Sequence, residues 1–91
     1  MPVIKLYASL RRFINPPTRT VGGSTVNEAI SELCNAYPDL REKIFLDGKL
    51  RPFFIISVNG RHIDLTEGLN TPAQPADEIA IFPPIAGGYG E

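Results

Sequence analysis

Apolar and polar positions alternate from the start of the chain. Ile4, Leu6, Ala8 and Leu10 interleave with Lys5, Tyr7 and Ser9, which predicts a strand over 3–10 with one face on a core. Asn15-Pro16-Pro17 turns the chain, and 18–21 can return beside the first strand. After Gly22-Gly23-Ser24 the period changes: Val26, Ala29, Ile30, Leu33 and Tyr37 recur at helical spacing, while Asn27, Glu32 and Asn35 fall on the opposite side. Thr25 with Glu28 three residues later forms a capping box that opens this helix, and Pro38 closes it. Leu40 and Ile44 are spaced to dock together from a short helical turn over 39–45, before Asp47-Gly48 reverses the chain.

The segment 53–58 is apolar at every position except Ser57, the pattern of a strand covered on both faces. Asn59-Gly60 is a strong hairpin signal, since both central residues of a type I′ turn need positive φ, so 61–63 is the returning strand. The stretch 64–77 carries glycine and proline breaks and reads as an irregular crossing. Beyond it, 78–82 alternates again, Ile79 and Ile81 inward against Ala80 and Phe82 outward. The order is two strands, a helix, two strands, a loop and a last strand.

Past Phe82 the chain can be neither strand nor helix. Pro83 and Pro84 lack N–H donors and hold φ near the polyproline value, so sheet pairing stops and the chain leaves as a stiff spacer. Ile85 and Ala86 come next, and Gly87 and Gly88 remove every Cβ, giving a thread narrow enough to enter a channel in another protein. The organisation is a domain over 1–82 and an extended tail over 83–91, in which Tyr89-Gly90-Glu91 extends past the diglycine.

Composition narrows the function. The 91 residues, 43% apolar and 21% charged, suit one small domain that buries somewhat over half of its unfolded surface, with little room for an internal cleft. A net charge of −1 and a pI near 5.8 leave no electrostatic footprint for nucleic acid; the cluster Arg11, Arg12 and Arg19 is too small to make one. The longest wholly apolar run, 53–56, is far short of a membrane span, and no signal segment opens the chain, so the expected location is cytoplasmic. Cys34 is the only cysteine; without a neighbouring thiol or activating base it reads as a semi-buried packing residue. His62 is the only histidine, which leaves no metal set or Ser-His-Asp array to assemble. Asp64 and Glu67 lie in the turn-rich crossing, where carboxylates cap backbone donors or face solvent. No cofactor or metal is expected to bind to the domain itself.

These residues are compatible with an α+β β-grasp fold: a small mixed sheet of four to five strands, one main helix on one face, and the last strand parallel to the first. From the first strand through Val58-Asn59-Gly60 and 77–88, the chain resembles the ubiquitin-like sulfur carriers. That family includes the small subunit of molybdopterin synthase, the thiamine sulfur carrier and the carrier of a thiocarboxylate-dependent cysteine route. The resemblance implies a carrier rather than an enzyme. An E1-like adenylating enzyme uses ATP to activate the carboxylate of Gly88, a sulfur donor displaces AMP, and the Gly88 thiocarboxylate delivers sulfide to an acceptor, a cysteine synthase or the molybdopterin-synthase large subunit. Pro83, Pro84, Ile85, Ala86 and Gly87 would be the segment those partners grip. Because Tyr89, Gly90 and Glu91 come after it, Gly88 is amide-linked as written; in the wider family a zinc-dependent peptidase removes such extensions. The match at Gly48-Lys49-Leu50 and at Ala86-Gly87-Gly88 leans toward the cysteine route, with molybdopterin synthesis close behind. Two other classes stay open: a protein modifier joined through Gly88 to lysines, and a β-grasp interaction module whose tail does no chemistry.

Strand alternation adds a surface. With Ile4, Leu6, Ile63, Ile79 and Ile81 toward the helix, Tyr7, His62 and Phe82 face the uncovered side of the sheet. Tyr7 and Phe82 fall on adjacent parallel strands beside the tail, and the three residues are expected to form the docking patch for the activating enzyme.

Overall fold

The computed structural model describes residues 1–84. Its first strand, β1 (Val3–Leu6), is shorter than the alternation predicts. Ala8 adopts a φ of +54°, a left-handed conformation that a strand cannot continue through, and the chain passes into a 3-10 helix over Ala8–Phe13. Leu10 is still buried: the apolar residue keeps its place in the core while the backbone around it changes. The return segment forms β2 (Thr18–Thr20), antiparallel to β1.

The capping signal is realised with one change. The Thr25 Oγ1 accepts the Glu28 backbone N–H at 3.1 Å and opens α1 (Val26–Ala36). Glu28 reaches one residue further back than the cap, its Oε1 accepting the Ser24 N–H at 2.8 Å and the Ser24 hydroxyl at 3.0 Å. Those donors hold the Glu28 carboxyl below its usual range. Gly23 makes the tight entry possible: φ is +109°, and a Cβ there would stand 2.8 Å from the Ala29 nitrogen. Val26, Ala29, Ile30 and Leu33 are buried along the expected stripe. Pro38 ends α1 and is also the first residue of α2 (Pro38–Ile44), where its missing N–H costs nothing. Leu40 and Ile44 are fully buried from α2.

Two short hairpins come next. Asp47 and Gly48, at φ +52° and +78°, join β3 (Phe45–Leu46) to β4 (Lys49–Leu50). Asn59 and Gly60, at +52° and +85°, join β5 (Ile55–Val58) to β6 (Arg61–His62). The expected strand over 53–58 therefore starts two residues late, because Phe53 sits at φ +68°. Cover on both faces is also absent: Ile55 is 42% exposed, while Ile56 is buried against the helices. The second hairpin is tied to the start of the last strand. Asn59 Oδ1 accepts the Glu78 N–H at 2.9 Å, Asn59 Nδ2 donates to Asp77 Oδ1 at 2.8 Å, and the Asn59 backbone N–H donates to the Glu78 carbonyl at 2.8 Å.

The crossing holds two 3-10 turns, Ile63–Leu65 and Gly68–Asn70, and delivers the chain to β7 (Glu78–Phe82). β7 lies parallel to β1 and antiparallel to β5, and the sheet order is β2-β1-β7-β5-β6. Registered rows Ile4–Ile79–Val58 and Leu6–Ile81–Ile56 carry the side chains that meet α1 and α2. The topology is that of the β-grasp fold. Truncating Leu33 or Ile56 to alanine is expected to cost about 2–5 kcal/mol, the range for large-to-small changes at fully packed sites. Chemical denaturation of each variant beside the parent measures it.

Candidate functional site

The open face of the sheet is built by the other half of the alternation. Tyr7, at the end of β1, donates its backbone N–H to the Ile81 carbonyl at 3.1 Å, which fixes it beside β7. Its ring stacks on Phe82 with centroids 4.4 Å apart and planes 20° from parallel, bringing together the two residues expected to be neighbours on adjacent parallel strands. On the other side of β7, Ile55 is the registered partner of Phe82, and directly opposed residues share a face. The apolar row beside the tail is thus Tyr7–Phe82–Ile55. Ile55 is its unforeseen member; the signal lies in its spacing, two residues from the lone polar Ser57 that marks the open side of that strand.

His62 does not join this row. It faces the open side, but its partner is Ser57, and Ser57 in turn pairs with Ala80, one row further from the tail and across β5. The nearest acid is Asp64, its Oδ2 3.9 Å from His62 Nδ1. The same row ends at Lys5, whose ammonium lies 3.1 Å from Glu78; that hydrogen bond and charge raise the Lys5 pKa. Of the three residues expected to form a patch, Tyr7 and Phe82 stand together, while His62 lies one row away and Ile55 is the residue opposite Phe82.

Around the root of the tail the sheet ends on three strands at once. β7 stops at Phe82, and Pro83 and Pro84 form no strand. On one side β1 leaves the sheet through Ala8, and on the other the residue two ahead of β5, Phe53, is also left-handed. Pairing beyond Phe82 is thus prevented twice, by prolines that lack donors and by neighbours that have turned away. Ile85, Ala86, Gly87, Gly88, Tyr89, Gly90 and Glu91 lie outside the described residues.

The remaining chemistry-bearing side chains play no part here. Asp64 and Glu67 are exposed on the crossing. Cys34 is fully buried on α1 rather than semi-buried, and burial pushes its thiol from 9.0 up to about 11, against a smaller opposing effect of Arg41. The folded state therefore keeps a proton that the unfolded chain loses, and stability should fall as pH rises from 9.0 toward about 11. At neutral pH a thiol-specific reagent should leave the native protein unlabelled and label it fully in denaturant; rapid native labelling would show a thiol more accessible than this burial allows.

Comparison with known proteins gives one answer from three directions. The ThiS family model matches residues 4–88. A putative sulfur carrier protein of Archaeoglobus fulgidus is 43% identical over 65 residues, 70% of this chain and 74% of that one. The sulfur carrier protein CysO of Mycobacterium tuberculosis is 32% identical over 72 residues, 76% of this chain and 77% of that one. Among solved structures, the small archaeal modifier protein 1 of Methanosarcina acetivorans superposes with a TM-score of 0.88 at 33% identity, covering 94% of each chain. With the parallel closing strand and the family model spanning nearly its whole length, the chain belongs to the ThiS family of ubiquitin-like sulfur carriers.

Proposed function

We propose that this protein carries sulfur on Gly88. Once residues 89–91 are removed, the free Gly88 carboxylate attacks the α-phosphorus of ATP in an E1-like adenylating enzyme and releases pyrophosphate. A carboxylate is a poor electrophile because its charge is delocalised; the acyl-adenylate is a good one because AMP can leave. A sulfide-level donor then displaces AMP and leaves a thiocarboxylate, which delivers its sulfur to an acceptor enzyme of cysteine or molybdopterin synthesis. The chain supplies no catalytic group. Its contribution is to present Gly87-Gly88 beyond Pro83-Pro84, which lack the N–H donors needed to extend the sheet.

The observation that carries this reading is the root of the tail: a central strand running into Pro83-Pro84, flanked by strands that leave the sheet at the same level. The stacked pair Tyr7–Phe82 with Ile55 supplies the docking surface for the adenylating enzyme, since aromatic area beside a reacting segment is what anchors interfaces. The similarity to CysO favours the cysteine route as the destination of the sulfur. The similarity to an archaeal modifier protein supports a second reading, in which an amine in place of sulfide takes the acyl group and Gly88 ends in an isopeptide bond. Both readings require the same adenylation.

A chain ending at Gly88, incubated with ATP, its adenylating enzyme and a sulfur donor, is expected to gain the mass difference between sulfur and oxygen. The full chain should gain nothing at Gly88 until a peptidase is added. Failure of the shortened chain to gain sulfur, while an established carrier does so in parallel, removes the carrier reading; lysine-linked Gly88 in a digest of the reaction favours the modifier.

Replacing both Tyr7 and Phe82 with serine should weaken binding to the adenylating enzyme about tenfold or more and leave the fold intact, because neither residue belongs to the core. Gly88→Val on the shortened chain should do the converse, binding normally while pyrophosphate exchange collapses. Equal affinity of the double variant and the parent would move the docking surface elsewhere.

A further inference from the structure

We propose that Phe53 is a second anchor for the adenylating enzyme, seated in an apolar socket beside the mouth of the channel that takes the tail. The proposal rests on the carrier or modifier reading above, both of which begin with adenylation.

Phe53 is 82% exposed, the most exposed large apolar side chain among the described residues. Its neighbour Phe54 is partly buried and packs against the core, so the loop between β4 and β5 needs only one of the two phenylalanines for stability. Phe53 also sits at φ +68°, where a side chain with a Cβ is disfavoured and where glycine would be at ease. An aromatic residue here is thus unfavourable to the isolated chain on two counts, strain and exposure. Strained residues of this kind gather where a binding partner acts.

Its position names the partner. β5 and β7 run antiparallel with Ile55 opposite Phe82, so Phe53, two residues ahead of Ile55, and Pro84, two residues past Phe82 and the last described residue of the tail, leave the sheet at the same end. Any enzyme that draws in the tail must close around this point. The loop is also firmly held. On one side the Arg51 N–H donates to the Ile44 carbonyl at 2.8 Å and Arg51 Nε donates to the Glu42 carbonyl at 3.0 Å; on the other Ile55 enters the sheet. A phenyl ring held on a short, tethered loop loses little freedom on docking, which is what makes an efficient anchor. Phe53 therefore adds exposed apolar area at the end of the sheet where Tyr7, Phe82 and Ile55 lie and the tail leaves.

The test uses Phe53→Gly and Phe53→Leu. Affinity for the E1-like enzyme of the same genome is measured on the full chain, pyrophosphate exchange on the chain ending at Gly88, and thermal unfolding on both. Phe53→Gly should melt no lower than the parent, because glycine accepts the backbone conformation, yet bind about tenfold more weakly with a matching loss in exchange at low carrier concentration. Phe53→Leu should retain most of the affinity. The proposal is overturned if Phe53→Gly binds within about twofold of the parent, or if it melts well below it, which would make Phe53 a packing residue. Absence of exchange from the parent ending at Gly88 instead removes the adenylation reading, and Phe53's role with it.

Discussion

The pairing of the first strand with the last is the interaction on which everything else depends. β1 and β7 lie side by side in parallel from Val3–Glu78 to Leu6–Ile81, and β5 closes on the other flank of β7. The strand that carries the tail is therefore central rather than an edge, hydrogen-bonded on both sides and buried on its inner face through Ile79 and Ile81. A tail attached to an edge strand could be peeled away with it. Attached here, its base stays where two ladders hold it.

The same pairing divides the molecule into a structural side and a presenting side. The inward residues of β1 and β7, Ile4, Leu6, Ile79 and Ile81, are buried in one core with Val26, Ile30, Leu40 and Ile44 of the helices. The outward face has only one layer of side chains and is graded along the strands, with the Lys5–Glu78 ion pair and polar Ser57 and His62 away from the tail, and aromatic and aliphatic residues next to it. Among the described residues no group of three or more His, Cys, Asp or Glu side chains is placed to hold a metal ion.

Much of this is legible in the chain. The inward stripe of α1, the chain reversal at Asp47-Gly48, the left-handed turn at Asn59-Gly60 and the short helix bearing Leu40 and Ile44 all come from local period and turn chemistry, and alternation with the parallel closing strand places Tyr7 near Phe82. The features that escape are non-local or depend on single backbone angles. Alternation runs on through Ala8 to Leu10 because Leu10 is buried from a 3-10 helix as well as it would be from a strand. Phe53 and Phe54 resemble strand because apolar character alone does not reveal the positive φ that takes Phe53 out of it. Parity places His62 on the correct face but does not give its row; the row is set by the β5–β6 register, which two-residue periodicity does not contain. Ile55 is missed because its place beside Phe82 is set by the β5–β7 register.

One consequence of the β5–β6 turn concerns how the protein ages. An asparagine followed by glycine is chemically fragile: the next residue's amide nitrogen can attack the side-chain carbonyl, expel ammonia and leave a ring that water reopens to aspartate or its isomer. Asn59-Gly60 is such a pair, suited to a turn that needs two left-handed residues. In the folded chain, however, both ends of the Asn59 amide are engaged, its oxygen by the Glu78 N–H and its nitrogen by Asp77. The group that would have to rotate toward Gly60 is held against the start of β7. Folding thus shields the hairpin's weak bond, and a molecule that loses the ammonia places a new carboxylate against Asp77, at the point where the central strand begins.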